Sequence, residues 1–186
     1  MTYPNSTSLP TIISGNCIGE LALGTTKGQL DSIMKCEPVR THFYEEKLSF
    51  EEKNISEAKY LQFAIGFEYA LEYNNEGKLP YPIYKTWMKD DRIKSMMLSS
   101  YGVGVFDYER CKRIRTEKGL AFGEKSDKMT LLYGYEYSRH EYSNFTNYIY
   151  FEEGVGFVFS EDELRAVYLF ERFAEEKATE MKKLYI

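Results

Sequence analysis

Histidine and cysteine are scarce in this sequence, with two of the first and three of the second among 186 residues. Cys17, Cys36 and Cys111 are odd in number, widely spaced and outside any C-x-x-C pattern. They signal neither a disulfide framework nor a zinc site, and a reducing compartment fits them best. Only His42 and His140 are available as histidine bases, and no G-x-S-x-G, P-loop or H-E-x-x-H pattern is present. His140-Glu141, one histidine beside one carboxylate, falls far short of a metal site. The expectation is a protein with no catalytic residues, no metal and no cofactor.

Positive charge is also in deficit. The formal net charge is −5, which makes phosphate backbones a poor partner and speeds encounter with a basic protein. Arg110, Lys112, Arg113, Arg115 and Lys118 form the one basic cluster, read as a solvated strand or loop. No apolar run approaches the roughly 20 residues of a membrane span. The polar start Met1 to Pro10 lacks a basic lead and is followed only by Ile12 and Ile13, so no export signal is expected and the cytoplasm is the expected location.

What is present in quantity is aromatic surface: seventeen Tyr and twelve Phe against one Trp. Such rings suit a pleated, half-buried sheet face. The acidic pairs Glu45/Glu46, Glu51/Glu52, Asp90/Asp91 and Glu152/Glu153 are adjacent in sequence, so on a strand they would point to opposite faces, unlike a two-carboxylate catalytic centre. Gly102-Val103-Gly104 lacks the following helix of a dinucleotide site and reads as a bend.

Self-comparison reveals one repeat. Leu21 to Met34 aligns with Leu120 to Tyr133 at a constant offset of 99, each copy an apolar lead, a glycine and a short helix. Thr26 with Gln29 forms a T-x-x-Q capping box in the first copy, whereas Lys125 is a poor cap in the second, so that Ser126 begins the helix there. Strand character follows at Tyr60 to Tyr73, Thr146 to Phe151 and Val155 to Phe159, the Pro80/Pro82 stretch makes a loop before Lys85-Thr86-Trp87, and Arg92 to Ser99 and Leu164 to Phe170 read as closing strands. Ser160-Glu161-Asp162-Glu163 has a helix-opening pattern, but the strand composition of Val167 to Phe170 favours a turn. A terminal helix is expected from about Arg172 to Tyr185, with Ala174, Ala178, Met181 and Tyr185 on one face.

The stretch Gly119-Leu120-Ala121-Phe122-Gly123, the helix after it and the ending Leu132-Tyr133-Gly134 resemble the β-lactamase-inhibitor-protein-like (BLIP-like) superfamily. Ile18-Gly19-Glu20-Leu21-Ala22-Leu23-Gly24-Thr25-Thr26-Lys27 is similar to the I-G-x-[IL]-x-L-G-M-[ST]-K opening of the same units and departs from it at Thr25. The resemblance spans about Ile13 to Phe170. Its members include tandem-unit enzyme inhibitors, outer-membrane-assembly lipoproteins and proteins resembling immunity factors for secreted toxins. It therefore implies a protein-binding sheet and no catalysis. Cys17 follows a polar segment, without the export region of the lipoprotein members.

The reading is an α+β fold: two tandem helix-plus-antiparallel-sheet units forming one larger sheet, with helices on one face and a C-terminal helix. Its expected divisions are a polar segment 1–12, a first unit 13–100, a connector 101–114, a second unit 115–170 and the helix 171–186. The expected partner surface is Tyr135, Tyr137, Tyr142, Tyr148 and Tyr150 with Glu136, Glu141 and Glu152. The alternate spacing of the tyrosines puts them on one sheet face, either as helix-facing core or as a concave binding face. The expected function is that of a cytoplasmic immunity protein neutralising a cognate, basic toxin, plausibly a nuclease, without binding nucleic acid or membrane itself. The alternative is an assembly-type binding protein without a toxin partner.

Overall fold

Two acidic dipeptides set the shape of the main sheet. Asp90-Asp91 and Glu161-Asp162 have φ of 53° and 57°, and of 53° and 60°. Positive φ at both residues of a two-residue loop gives the twist that joins adjacent antiparallel strands. The expected turn at Glu161-Asp162 is thus present, and no helix begins there.

The computed structural model describes residues 10–34, 40–43, 65–70, 83–100 and 111–183. In chain order the strands are β1 (Thr11–Ile13), β2 (Cys17–Ile18), β3 (Leu21–Ala22), β4 (Arg40–Phe43), β5 (Ile65–Ala70), β6 (Ile83–Lys89), β7 (Arg92–Ser99), β8 (Arg115–Thr116), β9 (Ser138–Glu141), β10 (Thr146–Tyr150), β11 (Val155–Ser160) and β12 (Glu163–Phe170). Among the described residues they form a small sheet, β3-β2-β1-β8, and an eight-stranded antiparallel sheet, β4-β5-β6-β7-β12-β11-β10-β9. The fold is mixed and strand-rich. The ends of the expected strand Tyr60 to Tyr73, the glycine bend Gly102-Val103-Gly104 and most of the connector 101–114 lie outside the described residues.

The large sheet is mirrored about the β7/β12 pair. Gly24 donates its amide to Ile93 O at 2.8 Å and Ile93 donates to Thr25 O at 2.9 Å; Gly123 and Leu164 repeat this at 3.0 Å, with Leu164 returning to Glu124 O at 2.9 Å. The register slips once in each half, between Trp87 and Met88 and between Val158 and Phe159. Across the seam Met97 pairs with Tyr168, Leu98 with Val167 and Met96 with Leu169. Met97 thereby faces the residue in the matching place of the other half.

Helix α1 (Lys27–Met34) opens with the reciprocal capping box: the Thr26 amide donates to Gln29 Oε1 at 3.0 Å and the Gln29 amide to Thr26 Oγ1 at 3.4 Å. Helix α2 (Ser126–Tyr133) has no such local device, because Lys125 at its N-cap makes no side-chain bond. Asp162 supplies it from the β11–β12 loop, its Oδ1 accepting from Ser126 Oγ at 2.6 Å and from the Ser126 amide at 3.3 Å. A carboxylate there also meets the positive end of the helix dipole. Replacing Asp162 with Ala should cost about 1 kcal/mol in urea denaturation, and Asp162→Asn, which keeps an acceptor, should lose less.

Leu30, Met129 and Tyr133 of these helices pack with Ile12 and Ile18 of the small sheet onto Ile93, Met96, Leu98, Phe157, Val167 and Leu169. Both α1 and α2 therefore lie on one face of the large sheet. A second cluster, Ile149, Phe151, Phe170 and Ala178, with Tyr168 and Phe173 against it, forms on the opposite face under helix α3 (Glu175–Lys183). This helix starts three residues later than the sequence suggests. The Phe173 amide is bonded to Phe151 O at 3.0 Å and Arg172 Nη2 to Ser14 O at 3.0 Å, which holds that stretch off the helical path. Ala178 is buried but Ala174 is exposed.

Candidate protein-binding surface

The period-2 spacing of Tyr148 and Tyr150 does place both rings on one face of β10, and that face is the one α2 covers. Tyr150 lies 5.5 Å from Tyr133 and 5.9 Å from Phe157, ring centre to ring centre, and Tyr148 lies 5.5 Å from Phe159. The Tyr150 hydroxyl donates to Gly134 O at 2.9 Å, just past the end of α2. Exposures of 8% for Tyr148 and 2% for Tyr150 follow. Of the two readings of these tyrosines, helix-facing core describes them; an open, partner-touching face does not. Tyr137 bridges the two situations, half-buried and edge-on to Tyr148 at 5.0 Å and Tyr150 at 5.7 Å.

Burial weakens two of these phenols as acids. Tyr133 is pushed up from 10 to about 12, chiefly by desolvation, and Tyr150 is pushed up by desolvation and by the neighbouring tyrosines. A raised phenol contributes its full stabilisation below the unfolded value. It loses that contribution as pH climbs from 10 towards 12, where the unfolded chain ionises and the folded one does not. Stability should therefore fall by about 2 kcal/mol across that window from Tyr133 alone. Phenolate absorbance at 295 nm should lag behind that of free tyrosine until the protein unfolds.

What remains outward is a rim around β9. Tyr135 is 81% exposed, Leu131 at the end of α2 83% and Tyr142 39%. Tyr142 stacks on Phe145 at 4.5 Å, and its amide donates to Phe145 O at 2.9 Å, closing the β9–β10 hairpin. Glu136, Glu141 and Glu152 are exposed; Arg139 pairs with Glu141 and lies over the Tyr148 ring at 5.8 Å. Along the sequence from Gly134 to Glu163 seven carboxylates, Glu136, Glu141, Glu152, Glu153, Glu161, Asp162 and Glu163, accompany one cation, Arg139, while Lys118 and Arg165 from outside that stretch pair with Glu153 and Glu163. Of the eight expected partner residues, Tyr135, Glu136, Glu141, Tyr142 and Glu152 are at the surface, Tyr137 is half-buried, and Tyr148 and Tyr150 are inside.

Comparisons with protein-family models, with curated proteins and with solved structures return no match.

The chemistry of the rim therefore rests on its own residues. Among the described residues no three His, Cys, Asp or Glu side chains gather as a metal site, and no helix is long and apolar enough to cross a membrane. Burial holds the His140 imidazole below its ordinary pKa. The Cys17 thiol is raised by burial and then by Glu117, which disfavours the reactive thiolate. The basic cluster is partly consumed internally: Lys118 pairs with Glu153 at 2.9 Å and sits 4.4 Å from the Tyr133 ring centre, and Arg115 reaches Glu124 at 3.9 Å. Glu153 is thus tied to Lys118 while its neighbour Glu152 is exposed, and Asp90/Asp91 build a hairpin loop. The pairs Glu45/Glu46 and Glu51/Glu52 lie outside the described residues. Sequence reasoning missed Leu131, because the i, i+3, i+4 pattern of α2 already assigns its core to Met129, Leu132 and Tyr133.

Proposed function

We propose that this chain is a non-catalytic protein-binding inhibitor, built from two divergent BLIP-like units joined through β7 and β12, and that it acts in the cytoplasm as the immunity protein of a cognate basic toxin, plausibly a nuclease. The observation that carries the reading is the rim around β9, where exposed Tyr135 and Tyr142 stand within an acidic segment. Aromatic anchors supply contact area at low entropic cost, and the carboxylates steer a basic partner into place. The tandem-unit part is supported by the repeated Gly24/Ile93 and Gly123/Leu164 bonding and the matching register slips.

The test is affinity capture of the tagged chain from its native cells, with mass spectrometry of what co-elutes in stoichiometric amount. A small basic protein domain is expected. Its absence, or a stoichiometric acidic partner, would end this reading. With the partner in hand, Tyr135→Ala with Tyr142→Ala should weaken binding by about 2 kcal/mol or more, and added salt should slow association more than it speeds dissociation. Unchanged affinity in the folded double variant removes the rim from the interface.

A further inference from the structure

The hydrogen-bond phase of β9 follows from its hairpin. The Tyr142 amide donates to Phe145 O at 2.9 Å, which marks that pair as one of the bonded kind, and the alternation of an antiparallel ladder then assigns every other pair. His140 with Asn147 and Ser138 with Ile149 are bonded pairs, while Arg139 with Tyr148 and Glu141 with Thr146 are the non-bonded ones. The amide and carbonyl groups of Arg139 and Glu141 consequently point away from β10. Strand β9 ends the eight-strand order, so among the described residues no further strand receives them. Both side chains are exposed. Exposed Tyr135 and Tyr142 stand before and after the strand, seven residues apart in sequence.

We propose that β9 is a strand-addition site, which takes an extended basic segment of the partner protein as a ninth strand of the large sheet. The inference rests on the binding reading above and names the segment and the mode. Backbone bonds to Arg139 and Glu141 supply affinity without regard to sequence, and side chains select the occupant. Arg139 is already paired with Glu141, so the acidic excess of the stretch Gly134 to Glu163 sets the sign of the occupant, and lysine or arginine in the incoming strand suits it. The seven-residue reach between Tyr135 and Tyr142 fits an occupant of six to eight residues, with the two rings covering its ends. Natural edge strands are guarded against such pairing by charge and shortness. Strand β9 is short, at four residues, and its charge guard is one ion pair, which an incoming basic residue can exchange.

The test uses the full chain, labelled with nitrogen-15, and an octapeptide of alternating lysine and valine. Amide hydrogen exchange at Arg139 and Glu141 should slow tenfold or more at saturating peptide, while Ser138 and His140, already bonded to β10, change little. A glutamate–valine octapeptide should leave all four unchanged. Unaltered exchange at Arg139 and Glu141 with the lysine peptide overturns the proposal, as does equal protection by both peptides. Glu141→Pro removes one outward donor and spares the bonds to β10, so peptide protection of Arg139 should vanish in it; a folded variant that keeps the protection also overturns the proposal. Capture of a stoichiometric basic partner that leaves both amides unprotected defeats the edge and spares the inhibitor reading. Protection by the lysine peptide without any cellular partner does the reverse.

Discussion

Replacing Tyr150 with alanine is expected to lower folding stability by about 3–5 kcal/mol, the range for removing a large buried ring. The ring is all but enclosed, in edge or tilted contact with Tyr133, Tyr137 and Phe157. These come from α2, the segment leading into β9, and β11, so the cavity left behind opens at a junction of three elements and cannot close without moving one of them. Tyr150→Phe keeps the ring and loses the bond from its hydroxyl to Gly134 O; it should cost about 1 kcal/mol. Urea denaturation with an unchanged slope reads both values. A Tyr150→Ala protein with wild-type stability and lost partner affinity would mean that the ring faces outward after all.

Gly154→Ala should destabilise the chain by about 3 kcal/mol or more. Gly154 has φ of +69°, where an L side chain is strained, and a Cβ there would come 2.4 Å from Phe170 O and 2.8 Å from Gly15 Cα. Both of those are backbone atoms, so neither can rotate aside. The Gly154 carbonyl also accepts from Gly15 at 3.2 Å and from Phe170 at 3.1 Å, which joins the small sheet's β1–β2 turn, the β10–β11 turn and the end of β12 at one point. Gly119 supplies the control: its φ of +92° is as unfavourable, but a Cβ there meets nothing within 4 Å. Gly119→Ala should lose only the backbone component, about 1–2 kcal/mol. Equal losses at the two positions would show that contact at Gly154 contributes nothing.

Much of the main sheet is legible in the sequence because its signals are local. The capping box of Thr26 and Gln29 needs residues three apart, and the acidic loops between β6 and β7 and between β11 and β12 need two adjacent ones. The closing strands Arg92–Ser99 and Glu163–Phe170 are long enough for composition to declare them. The small sheet is not legible, since its strands run two or three residues and no periodicity can develop over that length. Strand β1 falls across the boundary drawn between the polar segment and the first unit, because its parallel partner β8 lies more than a hundred residues away. The cap on α2 is equally hidden, as Asp162 is 36 residues from the Ser126 it holds.

The candidate site divides along the same line. Sequence alone determined that the tyrosines of β10 share a face, that Glu136, Glu141 and Glu152 lie close to them along the chain and that metal and nucleophile chemistry has few residues to draw on, because spacing and composition are properties of the chain itself. Which face those tyrosines take is a property of what packs against it. Only the tertiary structure decided that α2 lies over Tyr148 and Tyr150, turning them into core, and that Tyr135 and Tyr142 remain outside at the ends of an edge strand. A strand's alternation sorts its side chains into two sets without assigning either to solvent; that assignment is made when another element buries one of them.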